Sequence, residues 1–414
     1  MGSNAGPAPE AAPKAAPPAL SFGAMAETVL FGVLFFPVKV CEKTGVAKLF
    51  PGLTESQRTA AEGKHRDYSL TGPETKASVN KGLANGQWFL PHIERKTLRR
   101  LMQRDDYHAT RDTIILFGLI AGFGYAAYHF WTEGSYGLFS LCFWIYCTLY
   151  TSSGDSRWHE CGHGTAFKTK WMNDVLYEIA SFMVFREPLV WRFSHARHHT
   201  DTDIAGRDPE MDGRPLDMWN LFIAFFNVQG IQGECKKLWM HATGSLSPNE
   251  KVFVPSPYRT RVFWQARSWL TIYMVTIAVS VYYRTPLPAM YVFLPYSLGA
   301  WHFVLTGVFQ HASLAHDVLD HRLNTRTCYI NPISAFIYWN MHYHVEHHMF
   351  PMVPYCTLDP PLCLDLPHER NHLFAWAKAF LEADRCAPLL LTFVGDAFTS
   401  RGVLQTTCLS CTKS

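Results

Sequence analysis

Three short histidine-rich stretches of this sequence have the residue types and the spacing of metal ligands. The first, WHECGHGTAF at residues 158–167, contains an H-x-x-x-H. The other two, HARHH and HVEHH, are both H-x-x-H-H patterns. One such pattern arises by chance in roughly one chain in twenty, so two copies indicate a function. Together the stretches supply eight histidines: His159, His163, His195, His198, His199, His344, His347 and His348.

On a helix, the spacing within each stretch brings its imidazoles to one face, so that each stretch can point its nitrogens at one place. Eight imidazoles are too many for one zinc ion, which takes at most four ligands, and they suit two ions with vacant positions. Imidazole binds zinc, copper, iron or nickel, so the ligand type does not select the metal. The first stretch is also an H-E-x-x-H, in which Glu160 would be the general base of a zinc protease. That alternative leaves six histidines unexplained.

The apolar segments of the chain predict a membrane protein. Hydrophobic residues make up 48% of the chain and charged residues only 17%, below the roughly 25% of an ordinary soluble domain. Apolar runs at 113–131, 137–151, 268–283 and 286–309 predict four transmembrane helices in two hairpins, in an all-α fold. Because basic residues are concentrated outside the two short turns, we expect both termini and the 152–267 segment on the cytoplasmic side. A soluble bundle with unusually apolar core helices is the alternative.

Composition divides the chain into three parts. Residues 1–88 begin with a Pro/Ala-rich stretch and are predicted to be a disordered or targeting extension. Residues 89–385 form the predicted membrane domain, which starts with a basic helix at 93–106, and residues 386–414 form a tail. The eleven cysteines are scattered and indicate reduced thiols. The net charge of +3 gives no indication of a nucleic-acid partner.

The segments WHECGHGTAF, SHARHHTDTD and WNMHYHVEHHMFP resemble the three histidine boxes of the integral-membrane fatty acid desaturases and hydroxylases. GRDPE at 206–210 and LDHRLNTRT at 319–327 resemble a desaturase-like branch of that superfamily. The resemblance covers about residues 90–360. It implies four transmembrane helices under a cytosolic helical cap that carries the boxes. It also implies a non-haem centre of two iron ions that activates O₂, with the eight box histidines as ligands.

The resemblance implies one further ligand at the end of the fourth span, where the segment FQHASLAHD offers His311 and His316. His311 ends an otherwise apolar run, which favours a metal role, while His316 is a candidate ligand or outer partner. His342 is interpreted as an outer partner or a surface residue. Four acidic residues are candidates to bind the metal or to orient imidazole N–H groups: Glu160, Asp201, Asp203 and Asp208. For the three aspartates, turn and capping chemistry is the alternative.

Three tryptophans near the boxes are candidates to line an acyl tunnel: Trp191, Trp301 and Trp339. Each of them could instead belong to an interfacial belt or to plain packing. Cys161 lies on the helix face opposite His159 and is interpreted as packing.

The expected activity is O₂-dependent desaturation of a fatty acyl or lipid chain. A hydroxylase, a ketolase or an oxidative decarboxylase on the same scaffold is the main alternative. The zinc protease is a remote alternative, and a metal-binding membrane sensor without turnover is a third class. No haem or dinucleotide-binding signature is present in the sequence, so we expect a separate ferredoxin or cytochrome b5 type electron donor on the cytoplasmic cap. Endoplasmic reticulum, plastid and bacterial inner membranes are all compatible with this arrangement.

Overall fold

The computed structural model describes residues 66–211, 223–311, 314–328 and 330–357. Within these ranges the chain forms helices and no strands, which confirms the all-α prediction. Two 3-10 turns lie at Leu83–Asn85 and Tyr355–Thr357. The helices are α1 (Pro73–Asn80), α2 (Arg95–Leu101), α3 (Tyr107–Thr132), α4 (Tyr136–His163), α5 (Lys170–Met183), α6 (Pro188–Asp201), α7 (Val228–Ala242), α8 (Pro248–Phe253), α9 (Ser256–Tyr282), α10 (Leu287–Phe293), α11 (Pro295–Leu298), α12 (Ala300–His311), α13 (His321–Asn324), α14 (Pro332–Ile337) and α15 (His344–Met349).

The first predicted hairpin consists of α3 and α4. Helix α3 contains the predicted span 113–131, and among the described residues it is the one helix long and apolar enough to cross a membrane. Helix α4 begins at the predicted span 137–151 but continues without a break to His163. The second predicted span and the histidines of the first histidine box, WHECGHGTAF, therefore belong to the same helix, which ends at His163.

The two halves of α4 are buried by different surroundings. In the first half, Phe139, Phe143 and Cys147 pack against Leu116 and Ile120 of α3 in an apolar core. The second half is buried but polar, and it includes Ser152, Ser153, Asp155, Ser156, Arg157, His159 and Glu160. Because buried polar groups must be paired, this half of α4 marks the place where a site is built.

The second predicted hairpin is less regular than expected. Helix α9 starts at Ser256 and contains most of the run 268–283, whereas the run 286–309 is divided into α10, α11 and α12. Pro295 at the start of α11 has no N–H to continue the helix. Gly299 lies so close to α4 that a Cβ there would be 2.0 Å from the Cys147 carbonyl oxygen. A single continuous fourth helix is therefore wrong, and the four-span topology stays a prediction.

Residues 66–88, which we assigned to the N-terminal extension, are folded onto the box-two region. Thr75 donates a hydrogen bond to the Gly206 carbonyl (3.0 Å), and Trp88 donates one to the Thr200 carbonyl (3.1 Å). These partners are far away in the sequence, which is why composition alone indicated a loose segment. Residues 1–65 and the predicted tail 386–414 lie outside the described residues.

The predicted basic helix 93–106 is shorter in the structure and ends at Leu101. Asp105 and Asp106 instead belong to the start of α3, where Asp105 accepts a hydrogen bond from the His108 backbone N–H (2.9 Å). Acidic residues stabilise a helix N-terminus, so these two aspartates start a new helix.

Candidate metal centre

Five histidines form a first group in which the Nε2 atoms converge: His159, His163, His195, His199 and His347. They come from α4, α6 and α15. The Nε2 atom of His195 lies 3.1 Å from those of His159 and His163 and 3.2 Å from that of His199. The Nε2 atoms of His159 and His347 are 2.6 Å apart. All three boxes thus meet in this group.

Four further histidines form a second group: His198, His311, His344 and His348. The Nε2 atom of His344 lies 2.9 Å from that of His311 and 3.0 Å from that of His348. The two groups are adjacent, because the rings of His199 and His348 stack with their centroids 4.3 Å apart. Each H-x-x-H-H divides its histidines between the groups, so the expectation that each stretch points at one place is wrong.

The hydrogen bonds at Nδ1 of His195 and His311 leave the Nε2 atom of each ring directed at the other nitrogens of its own group. His195 Nδ1 lies 3.0 Å from a Glu210 carboxylate oxygen, and His311 Nδ1 lies 3.0 Å from the Asn324 carbonyl oxygen. These oxygens only accept, so each Nδ1 carries a proton. An Nε2 atom without a proton on such a ring presents its lone pair to the group. A cation in each group would satisfy these converging lone pairs. When two imidazole nitrogens each lie about 2.1 Å from the same metal ion, at right angles to one another, they are about 3 Å apart. The Nε2–Nε2 distances in both groups are similar to this value.

Burial also keeps most of these imidazoles in the neutral form that binds metals. Burial, followed by the nearby His198, lowers the pKa of His311 to about 3. Burial, followed by the neighbouring imidazoles, lowers the pKa of six others well below the ordinary value: His159, His163, His199, His344, His347 and His348. His198 is different: burial alone would lower its pKa, but the Asp208 carboxylate raises it to about 9.

Outer partners hold several of the rings in place, as is usual around metal-binding histidines. Asp208 lies 2.8 Å from His198 Nδ1, and Thr202 lies 3.2 Å from His348 Nδ1. Glu210 contacts His195 and also accepts a hydrogen bond from Ser194 (2.9 Å). Burial would raise the pKa of Glu210, but His195 and His198 lower it to about 2. Glu210 is therefore a carboxylate at neutral pH.

Sequence reasoning singled out Asp208 but missed three of these outer partners: Glu210, Thr202 and Asn324. Glu210 belongs to the segment GRDPE, which resembles a desaturase-like branch of the superfamily. An acidic residue two positions after Asp208 was the available signal. Asn324 contributes its backbone carbonyl, which no residue type reveals.

The other predicted acidic and histidine candidates lie outside both groups. His316 Nδ1 contacts Asp203 (2.7 Å) and lies 3.2 Å from the Tyr68 hydroxyl. Asp201 instead accepts a hydrogen bond from Arg207 (2.9 Å). His342 is buried but belongs to neither group.

Glu160 is fully buried next to the first group, with one carboxylate oxygen 4.0 Å from His347 Nδ1. Its other oxygen accepts a hydrogen bond from Thr165 (2.8 Å). Burial raises the pKa of Glu160 to about 7. Cys161 is buried and belongs to neither group.

The three candidate tunnel tryptophans occupy different surroundings. Trp191 packs edge-on against Trp158 (5.5 Å between ring centroids), and the Trp158 ring in turn contacts the His195 ring. Trp301 donates a hydrogen bond to Thr148 (3.0 Å). Trp339 is buried and stacks on the Tyr355 ring at 4.4 Å.

Comparison with known proteins agrees with this geometry. Residues 138–360, more than half of the chain, match the protein-family model of the fatty acid desaturases. A plant protein, the fatty acid conjugase FAC2 A of Calendula officinalis, is 24% identical over 233 residues, which is 47% of this chain. That alignment spans 59% of the relative's length. The matched family region contains all nine histidines of the two groups, and the chain belongs to the fatty acid desaturase family.

Proposed function

We propose that the protein is an O₂-dependent membrane desaturase that introduces a double bond into a fatty acyl chain, using two iron ions held by the nine histidines. The observation that carries this proposal is the pair of adjacent groups, with five and four imidazole nitrogens. An H-E-x-x-H zinc protease would use only the two box-one histidines and a water, so it leaves seven of these nitrogens without a role.

The balanced reaction removes two hydrogens from adjacent CH₂ groups and reduces one O₂ to two waters. It consumes two electrons and two protons, and the electrons come from a ferredoxin or cytochrome b5 type donor. A pair of iron ions would supply the redox chemistry that O₂ reduction and C–H cleavage need. The protein's own residues fix the imidazoles through Glu210, Asp208, Thr202 and the Asn324 carbonyl.

A hydroxylase is the second candidate, since hydroxylation uses the same O₂, electrons and protons but leaves one oxygen atom on the chain. The similarity to a protein named a fatty acid conjugase makes conjugated double bonds a third outcome. Expression in a host with a simple acyl composition, followed by mass spectrometry of its lipids, separates these products. New double bonds support the proposal, and new hydroxyls support the second candidate.

Metal analysis of the purified protein tests the centre independently of turnover. We expect about two irons per chain, one for each histidine group. One zinc per chain together with peptide cleavage would support the protease instead. Two irons with no oxidised lipid, in the presence of a competent electron donor, would support a sensor.

Exposed apolar side chains support the proposed location of the protein in a membrane. On α3, Ile114 is 67% exposed, and on α9 Val281 is 71% exposed. Trp171, Val175 and Ile179 form an exposed stripe at intervals of four along α5, beside Lys170. Such stripes, flanked by lysine, are typical of helices that lie at a membrane surface. We infer that α5 rests on the cytoplasmic face of the bilayer.

Photo-crosslinking tests this placement. A benzophenone amino acid at position 171 should form adducts with lipid. The matched control at position 174, where Asp174 is 45% exposed on the same helix, should not. Crosslinks from position 171 to a protein chain, or no adducts at all, would contradict the membrane contact.

A further inference from the structure

A cleft of about 400 Å³ lies beside the start of α3, at the boundary between the first predicted span and the cap. Arg111 and Asp112 line it near the start of α3, and Phe336 lines it from α14. Trp339 and His342, which precede the third histidine box in the sequence, also line the cleft. The cleft has the volume of a small-molecule site.

Two buried nitrogens of the cleft residues have no hydrogen-bond partner among the described residues: Trp339 Nε1 and His342 Nδ1. Buried polar groups are paired in the great majority of cases because an unpaired one costs free energy. The indole N–H can only donate. A ligand that satisfies it must present an oxygen acceptor.

Positive charge favours an anionic acceptor. The Arg157 guanidinium is buried over the Trp339 ring, 4.3 Å from its centroid, and its Nε and Nη2 have no partner in the described part of the chain. Arg111 provides a second cation at the cleft, and the one carboxylate of the lining, Asp112, pairs with it at 2.7 Å. A buried cation without a carboxylate of its own is stabilised by an anion nearby.

The backbone and the apolar wall also indicate a binding site. Trp339 and Asn340 are consecutive residues with φ of +49° and +52°, a left-handed conformation that is uncommon outside glycine and clusters at functional sites. Phe336 packs against the α3–α4 apolar core, which includes Leu116 and Ile120. One wall of the cleft therefore continues into the apolar interior of the predicted membrane helices.

We propose that this cleft binds the anionic polar end of the acyl substrate, a carboxylate or a phosphodiester. Trp339 and His342 donate hydrogen bonds to its oxygens, Arg157 and Arg111 supply the countercharge, and the Phe336 wall contacts the first methylenes. This inference rests on the proposed function, because it takes the ligand to be the acyl substrate.

Equilibrium binding of tritiated palmitate to the full-length protein, without O₂ or an electron donor, tests the cleft separately from turnover. Trp339→Phe keeps the stack on Tyr355 but removes the N–H, and His342→Ala removes the other donor. We expect each to weaken binding about tenfold. Trp264→Phe, at a 62% exposed position on α9, and His129→Ala, at the far end of α3, are matched controls that should bind as the wild type does.

Competition distinguishes the ligand sources. Methyl palmitate, which has no charge, should compete at least tenfold less well than palmitate. If dipalmitoyl phosphatidylglycerol competes better than palmitate, the bound group is a phosphodiester. Iron content and thermal unfolding show whether each variant is folded. Arg111→Gln provides a third variant, at the exposed rim of the cleft.

Two results would overturn the cleft assignment: folded variants that bind palmitate as the wild type does, or methyl palmitate binding as tightly as palmitate. Either could occur while the wild type still desaturates lipids, in which case the proposed function stands. Conversely, a wild type that binds palmitate through Trp339 and His342 but oxidises no lipid would overturn the desaturase proposal alone.

Discussion

Two regions of the molecule contain buried histidines, and the surroundings shift the histidine pKa in opposite directions. In the candidate metal centre most imidazoles face one another, and burial keeps them neutral. His241 on α7 is equally buried, but its Nδ1 hydrogen-bonds Glu187 and its Nε2 lies 3.2 Å from Glu250. Burial alone would lower the pKa of His241, yet these carboxylates raise it to about 9.

The comparison teaches that neighbours, rather than burial, decide what a buried histidine is for. Neutral rings that face each other present lone pairs to a cation, whereas a ring between two carboxylates becomes the cation itself. His198 shows the same rule inside the centre, because Asp208 raises its pKa to about 9. A metal ion bound there would have to displace that proton.

The largest effect is expected from His195→Ala, because His195 Nε2 contacts three other nitrogens of the first group. Activity should fall by more than the roughly 100-fold that loss of an outer partner costs, and iron content should drop by at least one per chain. Metal analysis and lipid mass spectrometry provide the measurements. Unchanged iron in His195→Ala would remove His195 from the ligand set.

His241→Leu should destabilise the protein by about 3–5 kcal/mol, because it leaves Glu187 and Glu250 as buried carboxylates without their cation. Iron content per folded chain should not change, in contrast to His195→Ala. Thermal unfolding measures the loss, and Trp239→Phe, 64% exposed on the same helix, is the control. A stable His241→Leu variant would mean that the carboxylates share a proton instead.

Removing an outer carboxylate should have a smaller effect than removing a ligand. We expect Glu210→Gln and Asp208→Asn each to weaken metal binding about 10- to 100-fold. Both variants keep the size of the side chain and a hydrogen-bonding oxygen. Competition with a chelator provides the measurement, and equal affinity to the wild type would show that these carboxylates only support packing.

The pH dependence of stability should have opposite signs for His311 and His241. His311 has a folded pKa of about 3 against an ordinary 6.5, so its contribution is present above pH 6.5 and is lost as pH falls towards 3. His241 has a folded pKa of about 9, so its contribution is present below pH 6.5 and is lost as pH rises through 9.

Thermal unfolding of the metal-free protein across this range should therefore show both an acid and an alkaline loss, each on the order of 3–5 kcal/mol. His241→Leu should reduce the alkaline loss but keep the part that comes from His198, whose pKa is also about 9, and it should keep the acid loss. An alkaline loss of unchanged size in this variant would show that His241 does not contribute to it.

The box histidines could be predicted from sequence because their spacing is local and repeated. His311 could be predicted from its position at the end of an apolar run together with the family resemblance. The division of each H-x-x-H-H between two groups could not, since it depends on how α6 and α15 are oriented against α4 and α12. The break at Pro295 and Gly299 was visible only as two residues in an apolar run, because the close approach to Cys147 is a tertiary contact.

The folded part of the N-terminal extension was missed for a similar reason. Trp88 and Thr75 find their partners at Thr200 and Gly206, more than a hundred positions away. Local composition gives no information about such contacts. The same limit hid the Asn324 carbonyl that fixes His311.

Because α4 is unbroken, the number of residues between the second predicted span and His159 determines where the first-box histidines lie relative to the other histidines of the two groups. Between the last residue of the second predicted span, at 151, and His159, each residue advances the helix by about 1.5 Å and turns it by about 100°. A single insertion or deletion there would swing His159 and His163 away from the other seven nitrogens. The number of residues in this stretch is therefore a fixed dimension of the histidine centre.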